Sequence, residues 1–145
     1  MRSTEKNSWT IDEKSWNRMV AHGADGYPDE ICGVLLFPEG LPGRITEVYP
    51  VENVTNEDAA NRYLVSPEEL LKVQKQAENE GLDICGFYHT HPDSPPLPSE
   101  TDRKTAWEGY LYLILSVEKG KFEEARAWEY SADDEQFREI DFNHG

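Results

Sequence analysis

The sequence is poor in cysteine and contains no long apolar run, and each shortage excludes a class of protein. Cys32 and Cys85 are too few for a disulfide scaffold and do not form a Cys-x-x-Cys pair, so we expect two buried, reduced thiols. No apolar run reaches the length that crosses a bilayer, so we expect no membrane span. Residues 1–9 are polar and lack the apolar core of a secretory signal, which indicates a flexible N-terminus and a cytoplasmic protein.

Basic residues are also scarce: 14 lysines and arginines stand against 29 acidic residues, for a formal net charge of −15. Nucleic-acid binding depends on basic side chains that neutralise phosphates, so this balance argues against a nucleic-acid partner. It argues equally against an anionic membrane surface. The 145 residues, with 37% hydrophobic and 30% charged side chains, indicate one globular domain that spans residues 1–145.

The hydrophobic pattern predicts a single α/β domain. One helix is predicted over residues 11–24, and a second runs from the N-cap Ser66 through Pro67 to residue 80. One or two helical turns are predicted at residues 99–106. Strands are predicted at residues 31–37, 45–51, 82–90, 110–117, 125–130 and 137–142. No repeat or linker divides the chain, so we expect a mixed sheet flanked by helices.

The stretch from Tyr88 to Pro92, Tyr-His-Thr-His-Pro, ends one of these strands. Side chains two apart on a strand point to the same side, so His89 and His91 can converge on one metal ion. Asp102 follows after a loop long enough to fold back, and can supply a third ligand. Two imidazoles and one carboxylate leave a tetrahedral position open for water, as in a catalytic zinc site. Each part taken alone also has an ordinary explanation: a His-x-His pair occurs by chance, and Asp102 completes a helix capping box over residues 99–102.

Taken together, these positions resemble the signature of the JAMM (MPN+) zinc peptidases, His-x-His-Pro followed at fixed spacing by Ser-x-x-Asp. His89, His91, Ser99 and Asp102 match that signature. The segment from residue 28 to 35, Pro-Asp-Glu-Ile-Cys-Gly-Val-Leu, resembles the Pro-x-Glu-x-Cys-Gly-x-Leu segment of the small stand-alone prokaryotic members. The likeness extends from the first predicted helix to about residue 117. It implies a JAMM/MPN-like fold, with a mixed, curved β-sheet flanked by helices, and one Zn²⁺ per chain.

The resemblance also implies a role for each site residue. His89, His91 and Asp102 would be the zinc ligands, and Glu30 would be the general acid/base. The hydroxyl of Ser99 would stabilise the tetrahedral oxyanion, although the same hydroxyl is expected to cap a helix. The implied reaction is that of a deubiquitinase-like isopeptidase, which cleaves a peptide or isopeptide bond after the C-terminal Gly-Gly of a ubiquitin-like or sulfur-carrier protein.

Other families and functions compete with this interpretation. Residues 89–93 begin like the His-x-His-x-Asp-His motif of the metallo-β-lactamase fold, but Ser94 stands where the last histidine is required. A zinc deaminase needs a Pro-Cys-x-x-Cys element, which is absent. A non-catalytic JAMM-like binding module and a zinc peptidase for unrelated small peptides remain as alternative functions. Asn61 and Arg62 are possible substrate contacts, although loop residues of this kind are usually solvated. The sequence predicts no oligomeric state.

Overall fold

The computed structural model describes residues 8–55, 59, 63 and 65–145. In chain order these residues form β1 (Ser8–Ile11), α1 (Glu13–Gly26), β2 (Cys32–Pro38), β3 (Arg44–Ile45), β4 (Glu47–Val51), α2 (Pro67–Asn79), β5 (Leu82–Pro92), α3 (Glu100–Thr105), β6 (Leu111–Glu118), β7 (Lys121–Ser131) and β8 (Gln136–His144). Within the described residues, no helix combines the length and apolarity required to cross a bilayer.

The described strands form one eight-stranded sheet, in the order β3-β1-β8-β7-β6-β5-β2-β4. β1 pairs in parallel with β3 and β8, and β5 pairs in parallel with β6, whereas the other neighbours are antiparallel. The outermost strands β3 and β4 are separated in the chain only by Thr46. Because these adjacent pieces occupy opposite edges of the strand order, the sheet curls until its edges approach each other. The sheet is therefore mixed and curved, as the resemblance implied.

The two faces of this sheet bury different side chains. On one face α1 contributes Met19 to a core in which Trp9 and Tyr88 are among the largest buried side chains. On the other face α2 contributes Val73 and Ala77 to a second core. Residues 111–117 of β6 are buried throughout. This explains their nearly continuous apolar run, which is expected of a strand covered on both faces.

The N-terminus differs from the sequence-based prediction. Ser8 and Trp9 belong to β1, and Trp9 is only 1% exposed, so the expected flexible segment 1–9 is wrong at these two positions. Residues 1–7 lie outside the described residues. Ile11 also belongs to β1, and α1 begins two residues later with Asp12 as its N-cap. A strand of four residues is too short to show a reliable alternation of polar and apolar side chains, which is why the pattern missed it.

The remaining elements follow the sequence closely. The predicted strand 45–51 is divided at Thr46 because its two parts pair with different partners, β1 and β2. The N-cap predicted for α2 is present, since the Ser66 hydroxyl accepts a hydrogen bond from the Glu69 amide at 3.4 Å. Pro67 occupies the first turn, where its missing N–H costs nothing.

Gly86 provides a test of the strand packing that positions the site. It pairs with Leu35 of β2 and Leu111 of β6, and a Cβ atom at this position would overlap the Leu111 backbone oxygen. We expect Gly86→Ala to lower the free energy of unfolding by about 3 kcal/mol, because backbone in a central strand cannot move aside. Urea denaturation followed by circular dichroism measures this change.

The matched control is Gly40→Ala, at a position with φ of +82° where an added Cβ atom would meet nothing within 4 Å beyond its chain neighbours. This substitution destabilises the protein only through the left-handed backbone, and we expect it to lower the free energy of unfolding by about 1–2 kcal/mol. Equal destabilisation by the two substitutions would contradict the close approach of β5 to β6.

Candidate metal centre

Two histidines project from the end of β5 toward the same point. His89 and His91 are 1% and 7% exposed, and their Nε2 atoms lie 3.3 Å apart. β5 is an interior strand, held by β2 on one side and by β6 on the other. Their convergence follows from the two-residue period of a strand, as the sequence predicted.

The third member of the group, Asp102, comes from the first turn of α3. Its Oδ1 lies 3.3 Å from His89 Nε2, and its Oδ2 lies 3.1 Å from His91 Nε2. A capping box orients this side chain: the Ser99 amide donates to Asp102 Oδ2 at 2.9 Å, and the Asp102 amide donates to the Ser99 hydroxyl at 3.1 Å. The capping box and the candidate ligand role are therefore compatible, because one conformation of Asp102 serves both.

Three hydrogen bonds attach the proline-rich loop that precedes α3 to the sheet. The Ser116 hydroxyl donates to the Ser94 carbonyl at 2.7 Å, and the Trp128 indole N–H donates to the Pro96 carbonyl at 3.1 Å. His91 Nδ1 lies 3.0 Å from the carbonyl oxygen of Pro95. These bonds bring Asp102 back over the end of β5, which sequence spacing allowed but did not require.

The chemistry of the donor atoms fits a metal ion. A carbonyl oxygen can only accept, so the bond to Pro95 assigns the proton of neutral His91 to Nδ1 and leaves a lone pair on Nε2. That lone pair faces the His89 ring nitrogen and the Asp102 carboxylate. Electron pairs that converge in a buried space repel one another unless a proton or a cation lies between them, so a cation would relieve this repulsion.

The separations between these atoms also suit a tetrahedral ion. The three candidate ligand atoms lie within 4.8 Å of one another. Ligand bonds of about 2.0–2.1 Å in tetrahedral directions separate ligand atoms by about 3.4 Å. The contacts among His89, His91 and Asp102 are 3.1–3.3 Å. His89, His91 and Asp102 could therefore hold a metal ion with little rearrangement.

The charge states of His89 and Asp102 support the same conclusion. Burial lowers the pKa of His89, against the opposing charge of Asp102, so its ring stays neutral near pH 7. Burial also acts to lower the pKa of His91, but the hydrogen bond and charge of Asp102 outweigh it and the pKa is raised. For Asp102, burial acts to raise the pKa, yet the charge of His89 and the hydrogen bonds of both histidines hold the pKa well below its usual range. An ionised carboxylate and a neutral imidazole are the ligating forms, so a bound metal ion would take the place of the proton that Asp102 favours on His91.

Glu30 lies beside this group. It is 5% exposed and precedes β2, in which Cys32 pairs with His89. The pairing continues past β2, since the Ile31 amide donates to Thr90 Oγ1 at 2.9 Å and the Thr90 amide donates to the Ile31 carbonyl at 3.1 Å. This register brings Glu30 alongside His91. The charge of Glu30 contributes to the raised pKa of His91, which reflects their proximity.

Ser99 lies at the edge of the centre, in an exposed position. Its hydroxyl oxygen accepts the bond that caps α3. A hydroxyl has two acceptor lone pairs and one donor proton, so capping leaves the proton free to donate. The competition between capping and oxyanion stabilisation that the sequence suggested does not arise, because the two roles use different parts of the hydroxyl.

An aromatic residue at the centre was not predicted from the sequence. The Tyr63 ring stacks on His89 with a centroid distance of 4.5 Å and an interplanar angle of 24°. His89 Nδ1 is buried and has no hydrogen-bond partner in the described part of the chain. On this side of the centre the imidazole is therefore supported by stacking on Tyr63 and not by a hydrogen bond. No local pattern could reveal it, since Tyr63 and His89 are far apart in sequence. Asn61 and Arg62 lie outside the described residues.

An apolar groove of about 350 Å³ opens from Tyr63 along α2. Its walls include Leu70, Phe87 and the half-exposed Trp107. The two cysteines line no part of it; both are buried thiols outside any disulfide, as expected. Burial raises the pKa of Cys32 to about 12, so this thiol is not a nucleophile at neutral pH.

Comparison with known proteins agrees with this geometry. Residues 12–131 match the family described as prokaryotic homologs of the JAB domain. The chain belongs to this family. It is 39% identical over 127 residues to the desampylase of Haloferax volcanii, a match that covers 84% of this chain and 86% of that protein.

Two further relatives support the assignment. The chain is 36% identical over 99 residues to the CysO-cysteine peptidase of Mycobacterium tuberculosis, covering 68% of this chain and 66% of that protein. A solution structure of a protein from Desulfitobacterium hafniense superimposes with a TM-score of 0.81 at 27% identity, over 94% of this chain and 92% of that one. The family and fold that the sequence resembled are thus confirmed.

Metal binding by these residues can be tested directly. We expect His91→Ala and Asp102→Asn to weaken Zn²⁺ binding by about 100-fold or more, because loss even of a residue that only supports a ligand costs about 10–100-fold. Calorimetric titration of the metal-free proteins measures the affinity. His144→Ala is the control, since His144 stacks on Trp16 away from the centre. Unchanged affinity in the first two variants would contradict the assignment.

Proposed function

We propose that this protein is a zinc-dependent peptidase that cleaves a peptide or isopeptide bond after the C-terminal Gly-Gly of a ubiquitin-like or sulfur-carrier protein. The observation that carries the proposal is the convergence of His89, His91 and Asp102 on one point, with the buried Glu30 alongside. Three ligands of this kind leave a coordination position for water, as hydrolytic zinc sites do.

The positions of the side chains indicate the role of each residue in the proposed reaction. His89, His91 and Asp102 would hold the zinc, which supplies a water of lowered pKa and polarises the scissile carbonyl. Glu30 accepts the proton of the attacking water as the carbon–oxygen bond forms. It then delivers that proton to the leaving amine as the carbon–nitrogen bond breaks. The hydroxyl of Ser99 donates a hydrogen bond to the oxyanion.

The substrate class rests on the relatives and on the shape of the site. The names desampylase and CysO-cysteine peptidase support a carrier-protein conjugate as the substrate. Glycine permits close backbone approach, so a Gly-Gly tail suits a narrow path to a buried centre. The apolar groove from Tyr63 to Trp107 provides contact surface for residues next to the scissile bond.

The alternative functions receive less support. A docking module without turnover has no need for a buried carboxylate beside two buried histidines, an arrangement that is costly unless a cation compensates it. A peptidase for unrelated small peptides shares the same centre and differs only in its substrate. The cytoplasmic location and the absence of nucleic-acid and membrane partners remain predictions from the sequence.

The first experiment compares the wild type with Glu30→Gln on a ubiquitin-like protein that carries a peptide extension after Gly-Gly, and on its lysine conjugate. We expect Glu30→Gln to lower kcat by about 10²–10⁴-fold, because the amide cannot accept the water proton. Bound zinc, measured by plasma mass spectrometry, should remain equal in both proteins.

The same substrate with Ala-Ala in place of Gly-Gly serves as the specificity control. Cleavage of both substrates at equal rates would favour the small-peptide alternative. Zinc binding without cleavage of any substrate would favour the docking module. Full activity in Glu30→Gln would refute the acid/base assignment.

Ser99 is tested by separating its two roles. Ser99→Ala removes both the cap and the donor, so we expect about 1 kcal/mol lower stability and about 10²–10³-fold lower kcat. Ser99→Thr keeps a hydroxyl and should retain most of both. Asp12→Ala is the control, because it removes the N-cap of α1, where Asp12 accepts from the Ser15 amide at 2.9 Å. If Asp12→Ala lowered kcat as much as Ser99→Ala, the oxyanion role would be wrong.

A further inference from the structure

The segment that carries Glu30 is an arch with both ends attached to one short stretch of chain. At one end, Ile31 exchanges hydrogen bonds of 2.9 and 3.1 Å with Thr90. At the other end, the Tyr27 hydroxyl donates to Asp93 Oδ2 at 2.5 Å. Thr90 and Asp93 lie on either side of the candidate ligand His91. Both ends of the arch from Tyr27 to Ile31 are thus bonded to the backbone segment that positions His91.

Asp93 is itself firmly held. Its amide donates to the Val117 carbonyl at 2.8 Å, and its Oδ1 accepts from the Lys119 amide at 2.8 Å. Its φ of 55° lies in the left-handed region, which aspartate tolerates better than most residues but which still has a cost. A conformation of this kind persists only where neighbouring bonds determine it. Asp93 is therefore held in one conformation, in which one carboxylate oxygen accepts from the β6–β7 turn and the other accepts from Tyr27.

We propose that the hydrogen bond from Tyr27 to Asp93 is a positioning contact that sets the distance between Glu30 and the metal centre. This inference rests on the acid/base role proposed above for Glu30. A hydroxyl bonded to a carboxylate is a short, charge-assisted contact, so it defines a distance more sharply than apolar packing does. Displacement of a reacting group by about 1 Å costs about 10²-fold in rate, which makes small shifts of the arch measurable.

Tyr27 is a positioning residue, because its hydroxyl is engaged with Asp93 and its backbone caps α1. The cap is a bond of 3.4 Å from the Tyr27 amide to the Ala24 carbonyl. Tyr27→Phe keeps that bond and the ring and removes only the hydroxyl oxygen. The substitution therefore isolates the contact with Asp93.

The kinetic test uses the zinc-loaded enzyme and the Gly-Gly-extended carrier protein. We expect Tyr27→Phe to lower kcat about tenfold, with KM and zinc content unchanged, because the residues that would bind metal and substrate are untouched. Tyr130→Phe is the matched control and should leave kcat unchanged, since Tyr130 packs against Phe137 at a centroid distance of 5.2 Å on β7.

A double substitution separates positioning of Glu30 from general destabilisation. If Tyr27 acts through Glu30, adding Tyr27→Phe to Glu30→Gln leaves the residual activity unchanged. If the hydroxyl has only a structural role, the same tenfold loss appears in both backgrounds, and this result overturns the inference. Full activity in Glu30→Gln overturns the inference together with the acid/base role. Loss of activity in Glu30→Gln but not in Tyr27→Phe overturns the inference alone.

A substrate-free measurement completes the test. The Glu30 amide donates to the Ala59 carbonyl at 2.7 Å, so its hydrogen exchange reports on the closure of the arch. We expect Tyr27→Phe and Asp93→Gly to accelerate exchange at Glu30 about tenfold, with the Leu113 amide in β6 unchanged. Glycine accepts the φ of Asp93, which keeps the second variant free of backbone strain. Wild-type exchange at Glu30 in both variants overturns the inference.

Discussion

The pairing of β5 between β2 and β6 is the constraint on which the candidate site depends. β6 fixes the direction of β5 through a parallel register in which His89 lies opposite Ile114 and His91 opposite Ser116. β2 fixes the other side and continues, through Ile31 and Thr90, into the arch that carries Glu30. The end of β5 thus positions both histidines. Through its pairing with β2 it also positions the Glu30 carboxylate beside them. An interior strand is suited to this role because its backbone groups are bonded on both sides.

Burial and charge act against each other at this centre. His89, His91 and Asp102 are all buried, and burying ionisable groups is unfavourable unless they are paired or bind a cation. This cost is offset in part by one hydrogen bond from the Ser99 amide to the Asp102 carboxylate and by the contact of His91 with the Pro95 carbonyl. A bound cation would complete the compensation, which couples metal binding to the stability of the fold.

The same hydrogen bonds serve folding and function at several points. The capping box of α3 begins a helix of only six residues, and it also points Asp102 at the histidines. The Trp128 indole fills part of the second core and, through Pro96, holds the loop that returns α3 to the centre. A small domain can build a buried polar site in this way because each of these hydrogen bonds restrains two elements at once.

The sequence by itself determined the features that depend on local spacing. The two-residue period of β5 aligned His89 with His91, and the caps at Ser66 and Ser99 formed as their patterns predicted. The buried thiols outside any disulfide were predicted from the small number and wide separation of the cysteines, and the family signature was readable from its fixed spacing. Hydrophobic periodicity likewise located both long helices and most strands to within a few residues.

Tertiary structure alone decided the features that join distant segments. The short strand β1 and the division of the predicted strand at Thr46 depend on how far the sheet curls, and the stacking of Tyr63 on His89 joins the chain before α2 to β5. The bond from Tyr27 to Asp93 spans 66 positions. Such contacts leave no periodic trace, because curvature results from the packing of the whole sheet on both of its cores and not from any local stretch of residues.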